Sequence, residues 1–187
     1  MAARRLFFAL WPEAYWAEGL LEATHDAIAA SGGRPVPCAD LHVTLCFLGA
    51  LEEAALAGVC ERVNELRPAD FELEFAALEY WPHARLLAAT AAVAPTAALE
   101  LARVLHGWAR AAGSSTEELP LRPHVTLVRG VSTPGPSPHA RPLLPPRRLQ
   151  ARRLHLAQSL VRGAGEASMA APARYVRLQS WPLTGRG

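Results

Sequence analysis

A four-residue segment occurs twice in the chain, and this repetition constrains the fold more than any other feature of the sequence. His-Val-Thr-Leu stands at 42–45 within LHVTLCFLGA and again at 124–127 within PHVTLVRGV. Each copy is typical of a β-strand, in which side chains alternate between two faces, so each histidine shares a face with its threonine. Apolar residues fill the other face and are expected to pack under helices. The repeat therefore predicts two equivalent strands whose histidines, His42 and His124, face each other across a cleft.

The rest of the chain mixes strands and helices joined by short connections. Short apolar or alternating segments predict strands at 4–11, 41–48, 71–81, 84–93, 121–130, 152–161 and 173–183. Amphipathic segments predict helices at 13–30, 51–66 and 95–112. Residues 131–146 are so rich in proline that we expect a surface loop, with His139 solvated within it. This pattern predicts an α+β fold whose sheets are covered on one side by helices.

The positive charge of the chain comes entirely from arginine. The sequence has 19 basic residues and no lysine, and its net charge is only +2. The absence of lysine excludes Schiff-base chemistry, a P-loop and a lysine nucleophile of the kind that nucleic-acid ligases adenylate. The small net charge argues against a protein whose main function is to bind long nucleic acids. Arginine can still bind phosphate with two parallel hydrogen bonds.

The cysteines and the apolar segments bear on the cellular compartment of the protein. Cys38, Cys46 and Cys60 form no CxxC pair, so we expect free thiols in a reducing cytoplasm rather than disulfides or a zinc site. The apolar N-terminal segment is interrupted at Pro12 and Glu13, which does not suit a signal peptide. Nothing in the sequence predicts a membrane partner.

Two histidine and threonine pairs facing one cleft suit chemistry at phosphorus. One imidazole can take a proton from water while the other gives a proton to a leaving oxygen. The hydroxyls of Thr44 and Thr126 can donate hydrogen bonds to the non-bridging oxygens of a phosphate. A metal site fits this set less well, because threonine is a poor zinc ligand and no HExxH motif accompanies the histidines. We therefore expect no metal.

The doubled motif, together with RRLFFAL at 4–10, LRPHVTLVR at 121–129 and the closing ARYVRLQSWPL, resembles the two-histidine (2H) phosphoesterases with paired HxTx motifs. Within them, the chain is similar to the LigT/ThpR-like RNA 2′,3′-cyclic phosphodiesterases of the 2′-5′ RNA ligase family, over nearly its whole length. The resemblance implies one two-lobed domain over 1–187, with two antiparallel sheets around a central cleft, helices outside and a pseudo-two-fold duplication. It also implies cleavage of a cyclic phosphate to a 2′-phosphomonoester without a cofactor.

The resemblance further implies roles for individual residues. His42 would be the proton donor and His124 the proton acceptor, although two identical motifs do not fix that order by themselves. Arg129 would hold phosphate, but strict alternation turns it away from Thr126 unless the strand bulges or ends near Val128.

Two further positions carry expectations about the cleft. The family commonly has lysine at the position of Cys46, which alternation places on the face of His42, so we expect one cleft charge to be missing. Phe7 and Phe8 point to opposite faces of the first strand, and Phe8 is the candidate for stacking on a nucleobase. The five tryptophans are expected to be packing residues.

The expected partners are RNA 3′ ends or small nucleotides that carry a 2′,3′-cyclic phosphate, acted on by a monomer. Two other functions remain open at this point. One is a phosphodiesterase for small cyclic nucleotides or 2′-5′ linkages, which the low net charge favours. The other is a noncatalytic RNA-end binding module, for which two titratable imidazoles would be unnecessary.

Overall fold

The computed structural model describes residues 5–116, 120–132, 140–160 and 174–184. The strands are β1 (Arg5–Leu10), β2 (Arg34–Pro35), β3 (Val43–Gly49), β4 (Phe71–Trp81), β5 (Leu86–Ala91), β6 (His124–Arg129), β7 (Arg141–Ala151), β8 (Arg153–Ser159) and β9 (Tyr175–Pro182). The helices are α1 (Ala14–Ala23), α2 (His25–Ala30), α3 (Glu53–Glu65) and α4 (Thr96–Ala111), with a 3-10 turn at Cys38–Asp40.

The strands form two antiparallel sheets, and each sheet contains one copy of the repeated motif. The first sheet has the order β3-β1-β8-β9, and the second has the order β2-β6-β5-β4-β7. The first motif lies at the start of β3 and the second opens β6. The predicted α+β class, with two sheets, is therefore confirmed.

One face of each sheet joins a continuous apolar core under the helices. In β1 the side chains of Leu6, Phe8 and Leu10 are at most 2% exposed and belong to this core. Helix α4 packs against β3, and α1 packs against β7, so both sheets are covered on this side. The opposite face of the first sheet carries a separate small cluster around Phe7 and Ala9. One face of β1 thus packs in the core, and the other face lies on the side of the cleft.

Two predictions of local structure were wrong. The helix predicted over 13–30 breaks at Thr24, whose buried hydroxyl donates a hydrogen bond to the carbonyl oxygen of Leu20 at 2.8 Å. Such bonds to the carbonyl four residues back are known to bend helices. The proline-rich segment predicted as a loop contributes its residues from 141 onward to β7, while 133–139, including His139, lie outside the described residues. Because β7 is an edge strand, its prolines need not donate to a neighbour on the outer side.

The helices of the described residues are all short or amphipathic. Among them, none is long and apolar enough to cross a membrane.

Candidate active site

The two motif strands share an irregularity as well as a sequence. Thr44 pairs with Ala9 while Cys46 pairs with the preceding residue of β1, so Leu45 is an extra residue in β3. In the same way, Thr126 pairs with Ala88 while Val128 pairs with Leu87, which makes Leu127 an extra residue in β6. Each strand therefore has a β-bulge at the last position of its motif. A bulge reverses the alternation of the residues that follow it.

The bulges decide which residues after the motifs face the cleft. Cys46 and Val128 are both buried in the core, whereas Phe47 and Arg129 fall on the side of the histidines. The expectation that Cys46 faces the cleft was wrong, because alternation was assumed to continue through Leu45. The bulge that Arg129 needed in order to reach the cleft is present at Leu127.

Both histidines are anchored in the same way to the chain that precedes them. Nδ1 of His42 lies 2.7 Å from the carbonyl oxygen of Asp40, and Nδ1 of His124 lies 2.9 Å from that of Arg122. A carbonyl oxygen only accepts hydrogen bonds, so each Nδ1 must carry the hydrogen. In the neutral ring, Nε2 is then the nitrogen that can accept a proton.

The ring of His42 is enclosed by aromatic side chains. Trp11 stacks on it with ring centroids 4.8 Å apart, Tyr175 meets it edge-on at 4.7 Å, and Phe7 lies at 5.2 Å. This burial lowers the pKa of His42 to about 4, against the opposing effect of its hydrogen bond to Asp40. The His42 ring is therefore neutral near pH 7 when the cleft is empty.

The surroundings of His124 are ionic as well as aromatic. Trp81 lies against the His124 ring at 4.5 Å, and the guanidinium of Arg122 lies over the Trp81 ring at 4.8 Å. The carboxylate of Glu79 accepts hydrogen bonds from Nε1 of Trp81 at 3.0 Å and from the hydroxyl of Thr90 at 2.9 Å, and it pairs with Arg122. The ring of His124 thus lies next to a network of ionic hydrogen bonds, whereas the ring of His42 packs mainly against aromatic side chains.

This network affects two pKa values. Burial lowers the pKa of His124, and its hydrogen bond to the Arg122 carbonyl opposes that effect. Arg129 and Arg122 lower it further, while the carboxylate of Glu79 raises it. For Glu79 itself burial acts to raise the pKa, but the hydrogen bonds from Trp81 and Thr90 and the charge of Arg122 outweigh it, and the pKa is lowered.

Arg129 connects the two lobes. Its guanidinium donates a hydrogen bond of 3.3 Å to the hydroxyl of Tyr175, which belongs to the other sheet. Its charge lowers the pKa of both His42 and His124. A single cation therefore acts on both imidazoles, and an anion between them would meet it.

The motif threonines follow the histidines along their strands, and each is paired with an alanine on the neighbouring strand. Thr44 is half-buried opposite Ala9, and Thr126 is 9% exposed opposite Ala88. Among the described residues, no group of three or more His, Cys, Asp or Glu side chains could hold a metal ion. The arrangement offers two proton-transfer groups, two hydroxyl donors and one cation, a set suited to an anionic tetrahedral centre.

Comparisons with known proteins agree with this geometry. The model of the "LigT like Phosphoesterase" family matches residues 12–87. An RNA 2′,3′-cyclic phosphodiesterase of Escherichia coli (strain K12) is 33% identical over 129 residues, which are 69% of this chain and 73% of the relative. The chain belongs to the LigT-like phosphoesterase family.

Solved structures show the same family likeness over nearly the full length. E. coli LigT in its apo form superposes with a TM-score of 0.82 at 25% identity, covering 97% of this chain and 98% of LigT. LigT complexed with 3′-AMP gives the same TM-score and identity over 97% of this chain and 99% of that chain. A Thermus thermophilus protein gives a TM-score of 0.70 at 25% identity over 98% of this chain and 100% of its own. The present chain is accordingly a phosphodiesterase of the 2H type.

The structure of this phosphoesterase corrects the aromatic candidate. Phe8 is completely buried in the core and packs near Trp181 at 5.9 Å, so it cannot stack on a nucleobase. Phe7 occupies the cleft face but is itself only 3% exposed, beneath the rings around His42. Phe47, on the same face, is 56% exposed and lies 6.2 Å from Phe7.

Several residues of the site were not predicted from the sequence. Trp11 and Trp81, read as packing residues, lie against the two histidines, and Tyr175 was not singled out. For Trp11 a signal existed, because it continues the alternation of Phe7 and Ala9 along β1. Asp40 and Arg122 anchor their histidines through backbone atoms, which leave no mark in the sequence.

Proposed function

We propose that this LigT-like enzyme hydrolyses 2′,3′-cyclic phosphate ends of RNA to 2′-phosphomonoesters without a metal ion. We further propose that residues 1–187 act as one two-lobed unit, as a monomer in the cytoplasm. The observation that carries the proposal is the pair of Nδ1-anchored imidazoles, one from each sheet, that share the charge of Arg129. The substrate class is supported by the name of the E. coli relative.

In this reaction the phosphorus is attacked by water as the bond to the 3′ oxygen breaks. His124 takes the proton of the attacking water at Nε2, and His42 gives its Nε2 proton to the departing 3′ oxygen. Thr44 and Thr126 donate hydrogen bonds to the non-bridging oxygens, and Arg129 compensates the negative charge that develops there. The 2′ oxygen keeps the phosphate, so the product is a 2′-phosphomonoester.

In the free enzyme both imidazoles favour the neutral form. Burial lowers the pKa of His42 to about 4, and burial also lowers the pKa of His124. For His42 to act as the acid, a bound phosphate anion must raise its pKa, since an opposite charge close to a buried imidazole favours the charged form. The proposed order therefore requires the substrate to be in place before His42 is protonated.

A substrate panel in EDTA tests the reaction. Oligonucleotides and mononucleotides that carry 2′,3′-cyclic phosphates are incubated with the enzyme and EDTA, and the products are separated by chromatography. We expect turnover to 2′-phosphomonoesters, with kcat/KM higher for the oligonucleotides. Higher kcat/KM for cyclic mononucleotides or for 2′-5′ linkages would assign the small-molecule function instead. Activity that appears only with an added divalent metal would contradict the two-histidine mechanism.

Alanine variants test the two imidazoles. His42→Ala and His124→Ala are each expected to lower the rate by about 10² to 10⁴, the usual share of general acid–base catalysis. A cyclic analogue whose 3′ leaving group needs no protonation then separates the roles. With this analogue His42→Ala should recover most of its activity and His124→Ala should not. Recovery of the His124 variant would reverse the assignment.

A further inference from the structure

A cavity of about 830 Å³ adjoins the cleft but includes neither catalytic histidine. It lies where the start of α1, the 3-10 turn, the β7–β8 junction and β9 come together. Trp11 forms the wall that the cavity shares with the cleft. The Trp11 ring centroid lies 4.8 Å from that of His42 and 5.8 Å from that of His155, which lines the cavity. One aromatic ring therefore separates this cavity from the proposed reaction centre.

Three arginines that line the cavity have no ion-pair partner among the described residues. Arg152, Arg153 and Arg177 border it, and within the part of the chain that the structure describes none of them forms a salt bridge. Arg148 also borders the cavity but pairs with Glu74 at 2.9 Å. Three exposed guanidinium groups thus border one cavity, each without a carboxylate partner in the described part of the chain.

A buried imidazole lies among these arginines. His155 is 7% exposed and lines the cavity. Arg153 and Arg177 both act electrostatically on it. A mostly buried imidazole beside two cations therefore adds a further polar group to the wall of the cavity.

The charge of the cavity favours a nucleic-acid strand over a compact polyanion. Glu13 and Glu18 lie on the wall formed by α1 and reduce the net positive charge. Such a balance suits the single negative charge of each phosphodiester better than the clustered charges of a polyphosphate. The Arg177 guanidinium lies 5.9 Å from the Trp11 ring, so cation and aromatic surface stand together, as in sites that bind single strands.

We propose that this cavity is a subsite for the RNA strand that leads to the reactive end, with Arg153 and Arg177 binding the phosphodiester that precedes the terminal nucleotide. This inference rests on the proposed function. Through contacts outside the cleft, this subsite would favour an RNA end over a free cyclic nucleotide as substrate.

The test compares substrates of different length. The ratio of kcat/KM for a trinucleotide ending in a 2′,3′-cyclic phosphate to kcat/KM for the matching cyclic mononucleotide measures the subsite, because only the trinucleotide has internal phosphodiesters. We expect the double variant Arg153→Gln/Arg177→Gln to lower this ratio at least about tenfold. The control variant Arg62→Gln/Arg103→Gln removes the same charge from the outer helices α3 and α4 and should keep the wild-type ratio.

Binding without turnover supplies an independent measurement. A trinucleotide with a free 3′ hydroxyl is titrated against each protein while tryptophan fluorescence is recorded at several salt concentrations. Wild-type enzyme should bind it, and the double variant should lose about 0.7 from the slope of log K against log salt for each phosphate contact removed.

The outcomes separate the two proposals. A wild-type enzyme that binds this trinucleotide but turns over no cyclic phosphate would overturn the proposed function and leave the subsite supported. Three results would overturn the subsite: a wild-type ratio near one, a double variant that keeps the wild-type ratio, or a control variant that loses the ratio equally.

Discussion

The two motif strands have the same local geometry and different neighbours. In both, a histidine is held by the carbonyl oxygen two residues earlier, and a bulge follows at the motif leucine. In the first lobe the ring packs among Trp11, Tyr175 and Phe7, whereas in the second lobe it lies against Trp81, within reach of the charges of Glu79 and Arg122. The repeated residues therefore set the position of each imidazole, and the unrepeated ones set its affinity for a proton.

The largest expected effect concerns the bulges, because each bulge changes the side of the sheet on which the residues after it lie. Cys46→Lys places a charge in the core and should lower the free energy of unfolding by about 3 to 5 kcal/mol. The adjacent variant Phe47→Lys places the same charge on the exposed cleft face and should cost less than about 1 kcal/mol. Urea denaturation of the two variants measures both values. Equal destabilisation would show that β3 has no bulge at Leu45.

The pH dependence of the free energy of unfolding distinguishes the two histidine rings. The unfolded chain takes up a proton on His42 near pH 6.5, but the native state does so only near pH 4, so the unfolded state binds more protons between these values. Stability should fall as the pH drops through this window, by at most about 3 kcal/mol from His42.

His42→Gln should remove that part of the fall, and His124→Gln should remove a smaller part. His155, with a pKa lowered to about 4 by burial and by Arg177 and Arg153, contributes a fall that both variants retain. Urea denaturation between pH 7 and pH 4.5 measures the slopes. A wild-type slope that neither variant changes would contradict the burial assigned to both rings.

The motif threonines should respond alike if the duplication extends to phosphate binding. Thr44→Val and Thr126→Val each remove one hydroxyl donor to a charged oxygen and should lower kcat/KM about tenfold. Steady-state kinetics on a cyclic-phosphate substrate measures this loss, with Thr96→Val, at the start of α4, as a control for the substitution itself. A loss confined to one threonine would mean that only one of the two motifs binds the phosphate through its hydroxyl.

The smallest effect concerns the ionic network of the second lobe. Glu79→Gln removes the carboxylate that raises the pKa of His124, so that pKa should fall while the pKa of His42 stays unchanged. Histidine proton signals followed by NMR against pH report both values. An equal change at both rings would contradict the separation of the two environments.

The sequence predicted what depends on local pattern and missed what depends on pairing. Alternation located β4 and β9, and the repeat located both histidines with their threonines. Nothing near Leu45 or Leu127 indicates a bulge, because an extra residue exists only relative to the neighbouring strand. The misplacement of Cys46 follows from that. The choice of Phe8 over Phe7 failed for a related reason, since alternation separates the two faces of β1 without saying which one the core covers.

The contacts of the last described strand have a consequence for how the enzyme is made. Both carboxylate oxygens of Asp40 accept hydrogen bonds from the backbone N–H of Arg174, at 3.1 and 2.8 Å, and Tyr175 closes on His42 and on Arg129. During synthesis the ribosome delivers both motifs well before this strand exists. Contacts so distant in sequence must wait for a long loop to close. A nascent chain thus carries both motif histidines from residue 124 to residue 175 without an assembled site.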